Sequence, residues 1–232
     1  MEAGSDQASG LPKLRAHCLD GIEPFELPFA EPRLAFVCGR VDDHTRELLP
    51  GERIGLERMG DVRRAEYSSG RRVARQALSL LGARDCAVTA RGRIPVWPGD
   101  VVGSITHSRT HAMAMVGRRR DVAGIGVDLE VRQRVTDELA RRVLLKRERQ
   151  RVVEKDWPTM LFAAKEAVYK AVNPLVGEYL AFADVEISAS TDGTYRAEMT
   201  RPGESKSAVE AGRGWFQRVE RHWLCVFLVP NR

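Results

Sequence analysis

The chain has 232 residues, 43% hydrophobic and 30% charged, with a formal net charge of +5. That aliphatic content excludes a disordered chain, and the longest apolar run, Trp223 to Val229, falls far short of the ~20 residues of a membrane-spanning helix. The length fits one large domain or two small ones sharing a core. Met1 to Gly10 is polar, without the basic start and apolar stretch of a secretory signal, so a soluble, cytoplasmic chain is expected. Cys18, Cys38, Cys86 and Cys225 lie far apart with no C-x-x-C pair, which predicts reduced thiols rather than a zinc site or disulfide scaffold. The basic excess suits a polyanionic partner without separating nucleic acid from a nucleotide or an acidic protein.

Residues 1–33 carry Pro12, Pro24, Pro28 and Pro32 and read as an irregular lead-in. Leu34 to Cys38 suits a first strand. Thr45 to Leu81 looks helical, interrupted near Pro50-Gly51, with Val73, Ala77, Leu80 and Leu81 on a core face and Gly82 as the stop. Short strands are expected at Cys86 to Ala90, Ile94 to Trp97, Gly103 to Thr106 and Met113 to Gly117, with a turn at Pro98-Gly99-Asp100. Ala123 to Val131 reads as a buried strand. Helices follow over Thr136 to Glu154 and Trp157 to Val172; Pro158 is tolerated in a first turn, and Asn173-Pro174 ends the run. Strands close the chain at Asp184 to Ser188, Thr194 to Thr200, Gly214 to Glu220 and Trp223 to Val229, with Arg201 to Arg213 a polar loop. Strands and helices do not alternate regularly, which favours an α+β fold over a doubly wound parallel sheet. The same broad order occurs on each side of roughly residue 120, although identity between the halves is too faint to define a repeat by letters.

Four segments hold residues suited to chemistry. In Gly126-Val127-Asp128-Leu129-Glu130, strand alternation puts Asp128 and Glu130 on one face. Paired carboxylates suit Mg²⁺, and a strand end with two solvated acids is the plainer alternative. In Phe162 to Ala171, Glu166 and Lys170 share a helix face at i, i+4, within an otherwise apolar helix. That setting suggests a walled site more than an exposed ion pair. Gly103 to Ser108 brings Thr106 and His107 to a strand end, where hydroxyl, imidazole and backbone N–H donors suit a phosphate. Arg64, Arg71 and Arg75 fall on one helix face with Arg63 and Arg72 beside it, and Arg91 and Arg93 follow in a loop. Guanidinium groups bind phosphate oxygens in a two-pronged way, or merely solvate a helix face.

Taken in order, Arg63 to Arg75, Pro95 to Ser108, Gly126 to Glu130 and Phe162 to Ala171 resemble the 4′-phosphopantetheinyl transferases of the Sfp/EntD type. The matching segments span about 110 residues at the family's usual spacings, and GVDLE followed by Trp157 to Lys170 is the most specific pairing. The resemblance implies a pseudo-symmetric α+β fold of two halves, 1–120 and 121–232, each a small antiparallel sheet packed with helices. It also implies coenzyme A and Mg²⁺ in the cleft between them. The implied reaction moves the 4′-phosphopantetheine arm of coenzyme A to a serine of an acyl, peptidyl or aryl carrier protein and releases adenosine 3′,5′-bisphosphate. By position, Asp128, Glu130 and Glu166 match the metal acids, and Glu166 also the base on the carrier serine, acting directly or through a metal-bound water. Lys170 matches the lysine at the phosphates, with Asp128 and Glu166 completing the catalytic set; Lys165, Thr106, His107, Arg63 and Arg71 match coenzyme contacts. A further basic residue is expected before the Trp97-Pro98 turn; Thr89, Arg91 and Arg93 compete for it, and Arg91 is the choice. The family implies a monomer acting in fatty-acid, polyketide, non-ribosomal peptide or siderophore biosynthesis, with no membrane or nucleic-acid partner. An Mg²⁺-dependent nuclease and a non-enzymatic nucleic-acid-binding module are the rival readings. The first is disfavoured because Glu166 and Lys170 sit on a predicted helix rather than adjacent strands, the second by an aromatic content of only 6%.

Overall fold

The computed structural model describes residues 12–31 and 33–231; residues 1–11 and 32 of the lead-in lie outside it. The first part of the chain contains β1 (His17–Cys18), β2 (Leu34–Arg40), three 3₁₀ turns, α1 (Asp61–Leu80), β3 (Thr89–Arg91), β4 (Ile94–Val96), β5 (Val101–His107) and β6 (His111–Arg118). The second contains β7 (Val122–Val131), α2 (Asp137–Val143), α3 (Lys146–Gln150), α4 (Trp157–Val176), β8 (Val185–Ala189), β9 (Thr194–Met199), α5 (Lys206–Ala211), β10 (Arg213–Val219) and β11 (His222–Pro230). Strands order as β1-β2-β6-β5 in one sheet and β7-β11-β10-β9-β8 in the other, with β3-β4 a separate ribbon. This is the expected α+β architecture.

Local departures from the sequence expectations have physical causes. The helix expected from Thr45 begins only at Asp61, because Pro50, Gly51, Gly55 (φ +85°) and Gly60 break the preceding segment into 3₁₀ turns. Its buried stripe runs through Tyr67, Gly70, Val73, Ala74, Ala77 and Leu78, whereas Leu80, expected in the core, is half exposed. Thr136 to Glu154 divides into α2 and α3 at Leu144-Leu145. Helix α4 runs through Pro174 to Val176 and closes at Gly177 (φ +79°); a proline so near the end removes only a late helix hydrogen bond. Within the expected loop Arg201 to Arg213 lies α5, anchored by the fully buried Val209.

Two buried carboxylates repeat one arrangement on either side of residue 120. Glu52 accepts the N–H groups of Leu49 (3.0 Å) and Val88 (2.9 Å) and pairs with Arg75 on α1. Glu148 accepts those of Leu145 (2.7 Å) and Ile187 (2.7 Å) and pairs with Lys165 on α4 at 2.9 Å. Glu148 therefore ties a turn to strand β8 and to a 20-residue helix, and Glu52 ties a turn to the residue before β3 and to a 20-residue helix. Removing one partner of such a buried pair typically costs about 3–5 kcal/mol.

The two sheets meet where β5 faces β7. On one edge β7 pairs with β11; on the other, Ser104 Oγ accepts the Val127 N–H (3.0 Å) and Thr106 Oγ1 accepts the Leu129 N–H (3.2 Å). Two hydroxyls thus satisfy the ladder groups that a further strand would otherwise take. Apolar residues of both sheets, including Phe36, Met113, Met115, Ile125, Val127 and Val226, fill a shared core. Helix α4 lies directly on β7: a Cβ on Gly126 would stand 1.7 Å from the Ala167 carbonyl oxygen, and one on Gly124 2.4 Å from that of Ala171. Those glycines let the helix come close enough to share a site with the strand.

A second seam joins Arg40 and His111 to Glu220 and His222. Arg40 bonds His111 Nε2 (2.7 Å) and pairs with Glu220 (3.0 Å), while the buried His111 and His222 rings meet edge to face at 4.9 Å. Burial first, then the neighbouring charge of Arg40 for His111 and of His111 for His222, holds both imidazoles below their ordinary pKa, against the opposing pull of Glu220.

Gly126→Ala is expected to lower unfolding free energy by roughly 1–3 kcal/mol or more, read from denaturant midpoints; an unchanged midpoint contradicts the close helix–strand contact. The seam histidines predict a pH effect. The unfolded chain takes up their protons first, so their stabilisation is complete above about pH 6.5 and is lost as pH falls toward their lowered folded values. The denaturation midpoint should drop between about pH 7.5 and 5.5, and His222→Phe should flatten part of that fall. A midpoint with the same slope in both proteins rules out the pair as its source.

Candidate active site

Asp128 and Glu130 lie opposite Cys225 and Trp223 in the β7–β11 ladder and share one face of β7. Asp128 is 5% exposed. Its Oδ1 accepts the Thr106 hydroxyl (3.2 Å) and the Lys170 ammonium (2.6 Å), whereas Oδ2 is buried without a hydrogen-bond partner. Lys170 also donates to the Val127 carbonyl at 3.1 Å, which fixes its head against the strand. The i, i+4 spacing of Glu166 and Lys170 on α4 therefore brings one cation onto Asp128 and one further acid beside it.

Charge is unevenly balanced here. Glu130 pairs with Arg134, whose guanidinium also stands 5.6 Å over the Phe162 ring. Burial, reinforced by Asp128, nevertheless pushes the Glu130 carboxyl up to about 7, and the same two causes raise Glu166 against the opposing pull of Lys170 and Arg134. Glu130 and Glu166 thus both feel the charge of Asp128. Among the described residues no three His, Cys, Asp or Glu side chains are gathered in the arrangement of a preformed metal site. Neighbouring anions repel, and Lys170 and Arg134 neutralise two of them instead.

Beside Asp128 opens a cleft of about 220 Å³. Helix α1 lines it with Arg63, Glu66, Tyr67 and Arg71; β5 with Ile105, Thr106 and His107; the β3–β4 ribbon with Arg93 and Pro95. Asp128 and Lys170 close the inner end. Arg71 is buried, stands 4.4 Å over the Tyr67 ring, and donates to the Thr89 carbonyl at 3.4 Å, leaving Nε without a partner. Burial lowers the pKa of its guanidinium from the ordinary arginine value. Arg63 meets His107 Nε2 at 2.7 Å, and burial holds the imidazole below its usual pKa. A cationic recess with an aromatic and an aliphatic wall, bordered by Asp128 and Lys170, suits a nucleotide carrying several phosphates.

Two expectations are corrected by these positions. Arg91 is exposed on β3 and is not among the cleft-lining residues, while Arg93, across the turn at Gly92 (φ +61°), lines it. Lys165 is turned away from the cleft: its buried ammonium donates to the carbonyls of Phe182 (2.7 Å) and Val185 (2.8 Å) and pairs with Glu148. On a helix, adjacent residues face different ways, so Lys165 turns to the core while Glu166 turns toward the charges of Asp128, Lys170 and Arg134. Thr106 lies in the cleft, yet its hydroxyl is engaged by Asp128 and the Leu129 N–H. Glu66, Tyr67 and Arg134 were not singled out from the sequence. The spacing of Arg63, Glu66 and Gly70 at i, i+3, i+7 carried the signal for Glu66.

Comparison with known proteins points the same way. Residues 52–117 match the model of the 4′-phosphopantetheinyl transferase N-terminal domain, and residues 124–224 that of the 4′-phosphopantetheinyl transferase superfamily. The chain is 35% identical to 4′-phosphopantetheinyl transferase Svp of Streptomyces mobaraensis over 171 residues, 70% of each chain. It is 35% identical to 4′-phosphopantetheinyl transferase PptT of Mycobacterium tuberculosis, covering 63% of this chain and 67% of that one. Enterobactin synthase component D of Salmonella typhimurium is 36% identical, over 66% of this chain and 67% of its own length. With its two matched segments meeting across the β5–β7 seam, the chain belongs to the 4′-phosphopantetheinyl transferases.

Proposed function

We propose that this enzyme transfers the 4′-phosphopantetheine arm of coenzyme A to a serine hydroxyl of an acyl, peptidyl or aryl carrier protein, with Mg²⁺, releasing adenosine 3′,5′-bisphosphate. The observation that carries this reading is Asp128, which joins a cation-lined cleft to two carboxyls of raised pKa while one of its own oxygens lacks a partner. The coenzyme brings about four negative charges, which require several bases and a metal. Arg63, Arg71, Arg93 and His107 supply donors along the cleft, and Tyr67 and Ile105 supply its non-ionic walls. Lys170, held at the inner end, meets the diphosphate and is placed to protonate the leaving phosphate.

A divalent cation fits the donor set. Asp128 Oδ2 lacks a partner, and burial first, then the charge of Asp128, raises the carboxyls of Glu130 and Glu166, so a cation placed there would favour their ionised forms. Asp128, Glu130 and Glu166 would hold Mg²⁺, which neutralises phosphate charge and lowers the barrier to phosphoryl-type transfer. Glu166 acts as general base on the carrier serine: its environment raises its proton affinity, and Lys170 and Arg134 keep it from rising further. The halves divide at about residue 120, each contributing one wall of the cleft. Among the described residues no helix is long and apolar enough to cross a membrane. The enzyme works in the cytoplasm as a monomer, serving carriers of fatty-acid, polyketide, non-ribosomal peptide or siderophore assembly. No nucleic acid takes part in this reaction.

Mass spectrometry of apo-carrier proteins incubated with coenzyme A and Mg²⁺ should show the gain of one phosphopantetheine arm; plasmid nicking without that gain would favour the nuclease reading. Glu166→Gln should bind coenzyme A within a few-fold of the parent yet lose about 10²–10⁴ in transfer rate, and near-normal turnover would remove it as base. Asp128→Ala should abolish the Mg²⁺ dependence of turnover along with most of the activity, so an unaltered Mg²⁺ titration contradicts the ligand assignment.

A further inference from the structure

Glu66 is a carboxylate in a cleft otherwise built for anions. By charge alone it weakens the binding of any phosphate, so its position requires another account. It sits one turn beyond Arg63 on α1, with its side chain 15% exposed against 52% for that of Arg63. The same oxygen, Oε2, stands 3.6 Å from Arg63 Nη1 and 3.7 Å from His107 Nδ1. Arg63 Nη1 in turn meets His107 Nε2 at 2.7 Å. A guanidinium is always protonated and only donates, so Nε2 accepts. The proton of the neutral imidazole must then reside on Nδ1, the nitrogen that faces Glu66. The other carboxylate of the cleft, Asp128, is engaged by Lys170 and Thr106.

We infer that Glu66 is a positioning residue for the proposed coenzyme site: its carboxylate holds Arg63 and His107 in one orientation, with a single imidazole tautomer, before the phosphate arrives. Arg63 is half exposed and would otherwise sample many rotamers. Fixing it beforehand removes that ordering cost from coenzyme binding. On arrival the phosphate displaces Glu66 as the partner of Arg63, while the carboxylate keeps its hold on the Nδ1 side of the ring. The inference rests on reading the cleft as the coenzyme site, and the two fail separately.

The positioning role and the bare charge predict opposite signs for Glu66→Gln. Calorimetric titration with coenzyme A should show Kd roughly tenfold weaker, with KM rising in step and kcat changing far less. Imidazole ¹⁵N–¹H correlation spectra of the free protein should show His107 as the Nδ1–H tautomer in the parent and a mixture in the variant. Glu66→Asp should restore part of the affinity. Tighter or unchanged coenzyme binding in Glu66→Gln overturns the inference, as does an unmoved His107 tautomer or a loss that falls on kcat alone. If the parent protein binds no coenzyme A, the proposed function fails, and the tautomer spectra still decide whether Glu66 orients His107.

Discussion

Strand β7 has one hydrogen-bonding edge covered by β11 and the other by two side-chain hydroxyls, those of Ser104 and Thr106 on β5. A hydroxyl reaches an N–H from a side chain, so the two sheets can abut without merging into one ladder. The consequence is positional. Asp128, between Val127 and Leu129, is held at the line where the halves meet, with Thr106 on its Oδ1. Arg63 and His107 line the same cleft, and Lys170 pairs with Asp128 from α4.

Helix α4 supplies the second constraint. Its approach to β7 depends on Gly124 and Gly126, since a methyl group at either would meet backbone carbonyl oxygens of the helix. The GVDLE segment therefore does two things at once: its glycine admits the helix, and its Asp128 pairs with the Lys170 that the helix carries. The buried Glu148–Lys165 pair ties the other side of α4 to the turn before α3 and to β8. Opposite faces of one turn thus serve stability and chemistry.

Electrostatics in the site are poised rather than neutral. Lys170 and Arg134 each take one acid, yet burial leaves Glu130 and Glu166 with raised carboxyls and Asp128 Oδ2 unpartnered. Opposite charge is concentrated on the α1 side of the cleft, where Glu66 stands between Arg63 and Arg71. A ligand carrying phosphate and metal together balances both deficits.

Much of this was legible in the residues alone. Strand alternation put Asp128 and Glu130 on one face, helical spacing put Glu166 beside Lys170, and both descriptions hold in the structure because they depend only on local periodicity. The strand order of the two sheets, the hydroxyl seam and the division of labour between Lys165 and Glu166 depended on which distant segments met. A lysine's sequence neighbours do not reveal that Glu148 and two carbonyls wait on the far side of the helix. Nor does the order of Arg91 and Arg93 reveal which of them a turn at Gly92 brings to the cleft. Local geometry follows from neighbouring dihedral angles, so residue order determined most of the strands, helix α4 and which acids and bases share a face; long-range packing alone decided which side chains became buried and which were paired.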